Sequence, residues 1–188
     1  VAADVADVDA LYRNSGNVLL DLWNQLHNGT PYDAGGRWAA SGKVNKPLLK
    51  RLLRDPYFRQ PPPKSTGRER FNRQWLTLHL ENDLPAENLQ ATLAELTARS
   101  IHDSLAEFAP QRMLICGGGA HNQDLLERLK QNSGVPVEST ANAGLEPDWV
   151  EAAAFAWLAW ARLGEKPGNA PVVTGASREA ILGQVTLP

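Results

Sequence analysis

Arg112-Met113-Leu114-Ile115-Cys116-Gly117-Gly118-Gly119-Ala120-His121-Asn122 is the stretch whose reading sets the fold class. Its first five residues form a short apolar run stopped by glycines, the pattern of a buried strand. Consecutive glycines let the backbone approach a ligand with no Cβ in the way. The next segment, Asn122 to Lys130, reads as a helix, and a helix N-terminus offers unpaired N–H groups and the positive end of the dipole to polar or anionic groups. A strand, a glycine turn and a helix in succession predict an α/β protein rather than an all-α bundle. The glycines are adjacent, not spaced as in a dinucleotide fingerprint, and no Lys-Ser/Thr pair follows as in a P-loop. Two readings stay open. Gly117, Gly118, Gly119, Ala120 and Asn122 could cradle a ligand, or the stretch could be a tight turn with Asn122 as the helix cap.

Outward from that centre, Val135 to Ser139 reads as a second short strand, and helices dominate the rest. Val18, Leu19, Leu22, Trp23 and Leu26 recur at helical spacing over Gly16 to His27, and Asn28-Gly29-Thr30-Pro31 ends that helix. Further helices are predicted over Pro47 to Arg54, around Phe71, Trp75, Leu78 and His79, and as a long amphipathic segment from Ala86 to Phe108. Trp149 to Leu163 is apolar on nearly all faces, which predicts a buried central helix. A Gly/Pro-rich tail runs from Gly164. Two strands make a small sheet, as expected of a lobe that completes its sheet elsewhere.

The 188 residues allow one full domain or two small lobes. Hydrophobic residues at 43% and charged residues at 21% suit a soluble globular protein, although six tryptophans is a high count. A net charge of −2 argues against an electrostatic nucleic-acid surface. The single cysteine, Cys116, excludes an intramolecular disulfide framework and suits a reducing cytoplasm. Early aspartates and no basic start give no signal-peptide pattern. The longest apolar run, Ala152 to Ala161, is ten residues, about half a membrane span. A soluble, cytoplasmic protein with no membrane or nucleic-acid partner is expected.

Two more constellations carry chemistry. Pro61-Pro62-Pro63-Lys64-Ser65-Thr66-Gly67-Arg68-Glu69 sets two cations and two hydroxyls on a stiffened loop. There Arg68 could grip phosphate or carboxylate in bidentate fashion and Lys64 could supply a point charge. The same loop could equally be solvated, with Ser65 or Thr66 capping the next helix. Asp148 and Glu151 have the spacing of a capping box at the start of the apolar helix, and the cap is favoured over a carboxylate facing a cleft. His27, His79, His102 and His121 show no metal-ligand spacing with Cys116 or each other, so the chain itself is assigned no metal. No Gly-x-Ser-x-Gly elbow marks a nucleophile.

Taken together, several ordered blocks resemble the anhydro-N-acetylmuramic acid kinases, members of the sugar kinase and actin superfamily. They are Ser15-Gly16-Asn17-Val18-Leu19-Leu20-Asp21-Leu22-Trp23, Asp55-Pro56-Tyr57-Phe58, and Pro62 to Glu69. Gln90 to Ala98, Cys116 to Asn122, Glu151 to Trp160, Pro167-Gly168-Asn169 and Val173 to Ser177 follow in the family's order. The resemblance covers about residues 14–188 and leaves 1–13 as an atypical N-terminal segment. It implies a helix-rich, actin-like (ribonuclease H-like) C-terminal lobe with a small sheet. It also implies an enzyme that uses ATP with Mg²⁺, and water, to open the 1,6-anhydro ring and phosphorylate O6 of the amino sugar. By the same resemblance Gly117, Gly118, Gly119, Ala120 and Asn122 bind nucleotide, while Asn17, Lys64, Ser65, Arg68 and Glu151 line the cleft. The implied partners are the amino-sugar substrate, an N-terminal lobe and a second copy in a homodimer.

Two departures temper this. Nothing here resembles the family's Gly-Thr-Ser-Leu-Asp-Gly-like phosphate loop. The family's Asp ahead of a Gly-Pro-Gly-Asn turn, in register with Asn14-Ser15-Gly16-Asn17, falls on Tyr12. Tyrosine, with an ordinary pKa near 10, is a poor general base at neutral pH. The expectation is therefore a nucleotide-binding lobe inactive as an isolated chain. Its rival is a non-catalytic nucleotide-binding or scaffold module derived from that lobe.

Overall fold

The computed structural model describes residues 17–60, 66, 69–80, 83–105 and 108–186. Its elements are α1 (Val18–Asn28), α2 (Arg37–Ser41), α3 (Lys46–Leu52), α4 (Arg73–His79), α5 (Ala86–Leu105), β1 (Met113–Ile115), α6 (Gln123–Ser133), β2 (Val137–Ser139), α7 (Val150–Leu163) and α8 (Pro171–Thr174). Short 3₁₀ turns link several of them. Among the described residues β1 and β2 form one parallel pair, Met113 opposite Val137 and Ile115 opposite Ser139, with α6 as the connection. The fold is helix-rich α/β. No helix among the described residues is long and apolar enough to cross a membrane.

Local chemistry explains where the helices begin and end. Asn45 and Asn72 accept from the Leu48 and Trp75 N–H groups and cap α3 and α4. Helix α1 stops where Gly29 takes φ +70° and donates its N–H to the Gln25 carbonyl. The Trp23 indole donates to the Ala86 carbonyl at 2.9 Å, tying α1 to the start of α5.

Helix α5 is the spine. Leu89, Leu93 and Leu96 join Leu20, Leu48, Leu52, Phe71 and Leu76 in the larger core. Ala98 and Leu105 continue into a second cluster with Met113, Leu125, Leu129 and Val137 beneath the sheet. Read from sequence as amphipathic, α5 is buried at twelve of its twenty positions. Its polar positions there are mostly small residues that can satisfy themselves, as Thr92 and Ser100 do by donating to the Asn88 and Thr97 carbonyls. Gln90 is the exception: both amide atoms are buried and unpaired among the described residues. A charged clamp closes α5 against α6, with Arg128 reaching Glu95 at 3.1 Å and Asp124 at 2.7 Å.

The expectation of a buried central helix over Trp149 to Leu163 is overturned. Helix α7 starts at Val150 and buries only Ala161. Trp149, Phe155, Trp157, Trp160 and Leu163 are 65%, 67%, 51%, 55% and 74% exposed. The central position is already filled by α5, and among the described residues α7 is met by the turn before it and the tail after it. In that tail Arg162 donates to the Gly183 carbonyl, and the Lys166 ammonium lies 4.2 Å from the Trp160 ring centre. The capping-box expectation also fails, because the N-cap is Trp149 and no side chain caps the helix.

Asp55 pins the two ends of the segment between α3 and α4. Its carboxylate accepts from the Tyr57 N–H, the Arg70 guanidinium and the Trp75 indole. Burial pushes its pKa up, but those hydrogen bonds and the Arg70 charge outweigh this and hold it below the ordinary 3.8. A lowered folded pKa contributes stability that is complete above the unfolded value and is lost as pH falls through the folded one. The stability gap between wild type and Asp55→Asn should therefore narrow below about pH 4 in denaturant titrations at stepped pH.

Burial separates two sets of aromatics. Phe71→Ala should cost about 3–5 kcal/mol, as for a large core side chain. Phe155→Ala and Trp157→Ala should each stay within about 0.5 kcal/mol, as for surface positions. Unfolding midpoints of the three variants measure the difference.

Candidate functional site

The glycine turn lies at the carboxyl end of β1, and in open α/β sheets that end is where ligands bind. Cys116 is extended, Gly117 swings to φ +64°, and Gly117–His121 form a 3₁₀ turn. A Cβ on Gly117 would meet nothing within 4 Å, and one on Gly118 would meet only the Asn17 amide nitrogen at 4.0 Å. Among the described residues the space over these two glycines is open, the shape a bare backbone needs to receive a ligand. Gly119 lies under Asn17 as well, with a Cβ position 3.8 Å from the same nitrogen. The structure thus brings Asn17 next to Gly118, 101 positions further along the sequence.

Asn17 carries the sharpest polar signal. Its side-chain oxygen is buried and has no partner among the described residues. An unpaired buried acceptor costs free energy that a donor supplied by a ligand would recover. Asn122 closes the turn: its N–H donates to the Gly119 carbonyl at 3.2 Å, and its side chain accepts from the Leu125 N–H at 3.0 Å. The cap reading of Asn122 is therefore correct, and it is compatible with a ligand site on the same turn.

At the exposed flank, His121 Nε2 lies 3.0 and 3.1 Å from the two Asp148 carboxylate oxygens. Asp148, expected to cap α7, instead braces the turn. Glu151 is exposed on the first turn of α7 and makes no hydrogen bond among the described residues. Lys64, Ser65, Arg68 and Tyr12 lie outside the described residues.

The sequence reading passed over Gly35-Gly36. Asp33 bonds the Trp38 and Ala39 N–H groups, and Gly36 packs directly against Asn122. Adjacent glycines ahead of a helix were the available signal, as at Gly117. Among the described residues no three His, Cys, Asp or Glu side chains group as a metal site. Near the turn, Asp124 is engaged by Arg128 and Asp148 by His121. These residues present no carboxylate set for Mg²⁺. Among the described residues, one hollow bordered by Trp23 and Arg73 and another bordered by Asn28 and Tyr32 include none of the turn residues.

Strand, glycine turn and capped helix define an α/β protein with an open turn at a strand end. Its family follows from comparison. The family model described as "Anhydro-N-acetylmuramic acid kinase" matches residues 5–188. The chain is 52% identical over 178 residues to the anhydro-N-acetylmuramic acid kinase of Saccharophagus degradans, covering 92% of this chain and 48% of that protein. It is 51% identical over 175 residues to that of Pseudomonas syringae pv. tomato, covering 90% and 48%. With the Nitrosomonas europaea enzyme the figures are 48% over 173 residues, 90% and 48%. The chain belongs to the anhydro-N-acetylmuramic acid kinase family. It spans about half the length of these curated relatives.

The cap itself can be measured. Asn122→Ala should cost about 1 kcal/mol, whereas Asn122→Ser, which keeps a capping oxygen, should cost only a few tenths. Denaturant midpoints distinguish the two.

Proposed function

We propose that this chain is the nucleotide-binding C-terminal lobe, residues 14–188, of an anhydro-N-acetylmuramic acid kinase, with an actin-like fold. In that reading a full-length protein hydrolyses the 1,6-anhydro ring and phosphorylates O6 of the sugar in the cytoplasm. The observation that carries it is the open backbone at Gly117 and Gly118, set beside the unpaired Asn17 oxygen. A bare backbone and an unsatisfied acceptor suit the adenosine side of ATP, whose amine and ribose hydroxyls can donate. Bound ATP supplies the phosphoryl group. This chain's residues hold and orient the nucleotide: Gly117 to Ala120 by backbone contact, Asn17 by its amide, and Asn122 by fixing the turn. Lys64, Ser65, Arg68 and Glu151 remain proposed cleft residues. Mg²⁺ accompanies ATP in this reading, with its ligands coming from outside the described residues.

The exposed face of α7 supports the lobe assignment. Several large apolar side chains exposed along one helix are the kind of surface that a partner covers. The relatives are about twice as long as the matched region, so the proposed occupant is the half of a family protein that this chain does not span. Homodimerisation of the chain through α7 is the competing outcome. Co-expression with the unmatched half of the Saccharophagus degradans relative should give a complex, and Phe155→Glu with Trp160→Glu should abolish it. Self-association of the chain alone, lost in the same double variant with no such complex formed, would assign the face to a second copy.

Two measurements test the nucleotide reading. Gly118→Val has room within the protein yet fills the cradle, so it should abolish ADP binding by calorimetry while the unfolding midpoint holds. The isolated chain should not release ADP when given the anhydro sugar and ATP, because phosphoryl transfer depends on positioning and charge stabilisation around the phosphates. Tyr12 where the family has a base should cost about a further 10²–10⁴-fold. Robust turnover by the chain alone would overturn the reading of its catalytic parts.

A further inference from the structure

We infer that Gly36 is a positioning residue for the glycine turn, an assignment that rests on reading that turn as the nucleotide site. Gly36 is buried at φ +70° in the 34–36 turn, with its bare Cα against the N-cap of α6. A Cβ there would overlap the Asn122 side-chain oxygen and stand 2.7 Å from the Asp124 Cβ. Neither neighbour can step aside cheaply. The Asn122 oxygen is held by the Leu125 N–H, and the Asp124 carboxylate is held by Arg128 at 2.7 Å. The loop cannot retreat either, because the Asp33 carboxylate holds the Trp38 and Ala39 N–H groups at 3.0 and 2.9 Å. The helix those groups begin, α2, packs on the spine α5.

Asn122 is therefore fixed between its own helix and a glycine that only a hydrogen side chain permits. Its N–H meets the Gly119 carbonyl, so pushing Asn122 outward shifts the glycines of the turn. The loop sets where the cradle sits without touching a ligand.

Gly35 supplies the control. It has nearly the same backbone, φ +68°, but a Cβ there would meet only the Arg37 Cγ, at 4.0 Å. Gly35→Ala therefore carries the left-handed backbone penalty of a non-glycine residue without touching Asn122. Any difference between Gly36→Ala and Gly35→Ala reports the contact with the cap.

The experiment is amide hydrogen exchange by mass spectrometry on the full chain, together with ADP titration. Gly36→Ala should speed exchange in peptides covering residues 113–124 by about tenfold or more over Gly35→Ala, as for a locally loosened segment. Peptides from α5 should match between the two. ADP affinity should fall by about tenfold in Gly36→Ala relative to Gly35→Ala. Should Gly36→Ala fail to fold, Asn122→Ser serves: its hydroxyl can still cap α6 but from closer to its own backbone, drawing back from Gly36, so exchange over 113–124 should rise while the unfolding midpoint falls only slightly. Equal exchange over 113–124 in the two glycine variants, or an unchanged rate in Asn122→Ser, would overturn the positioning role. If wild type binds no ADP, the nucleotide reading fails, and the exchange comparison still decides the role of Gly36.

Discussion

Helix α5 has to be buried on more than one side at once, and the rest of the fold accommodates that. A helix in this position favours side chains that are apolar or able to satisfy their own polar atoms, Gln90 being the exception among the described residues. Leu89, Leu93 and Leu96 supply the first kind, and Thr92 and Ser100 the second. The approach is close enough that Gly42 leaves no room for a Cβ against the Glu87 carbonyl. Side chains then stitch the neighbouring loop to the helix. The Lys43 N–H bonds the Asn88 amide oxygen at 2.7 Å, and the Asn45 N–H bonds the Thr92 hydroxyl at 2.9 Å.

The candidate site follows from the same constraint. Four pieces meet there: the start of α1, the Asp33 loop, the end of β1 and the start of α6. Helices α1, α2 and α6 all pack on α5, so the spine fixes their relative positions. A rigid frame lets the turn itself remain bare. Gly117 and Gly118 contribute no side chain, and the position of the turn is set by Asn122 and the residues around it. Sites held by a rigid scaffold in this way keep ligand geometry without requiring large side chains at the contact.

Helix α7 answers to a different demand. Its sequence is the most apolar in the chain, yet among the described residues it lies outside the core. A helix this apolar is costly to leave in water, and under the proposed lobe assignment it would pack against the half of a family protein that this chain does not span.

Much of this was legible in the letters. Leu19, Leu22 and Trp23 place α1, Pro85 precedes α5, and the apolar run into Gly117-Gly118-Gly119 gives a strand, a turn and a helix in order. These are local signals: side-chain periodicity, proline's missing N–H and glycine's missing Cβ act within a few residues. The ordered blocks also carried the family. Burial was another matter, and there hydrophobicity misled in both directions. Apolar α7 is exposed and the more polar α5 is central, because burial depends on which surfaces meet rather than on one segment's composition. The positions of Asn17 over Gly118 and of Gly36 against Asn122 belong to the same category. The sequence by itself determined the longer helices, the glycine turn and the family, since each is written in local patterns, whereas the short helices α2 and α8 were not legible in it. Only the tertiary structure decided which helix is the core and which distant residues surround the turn, because those are contacts between segments that the chain brings together only by folding.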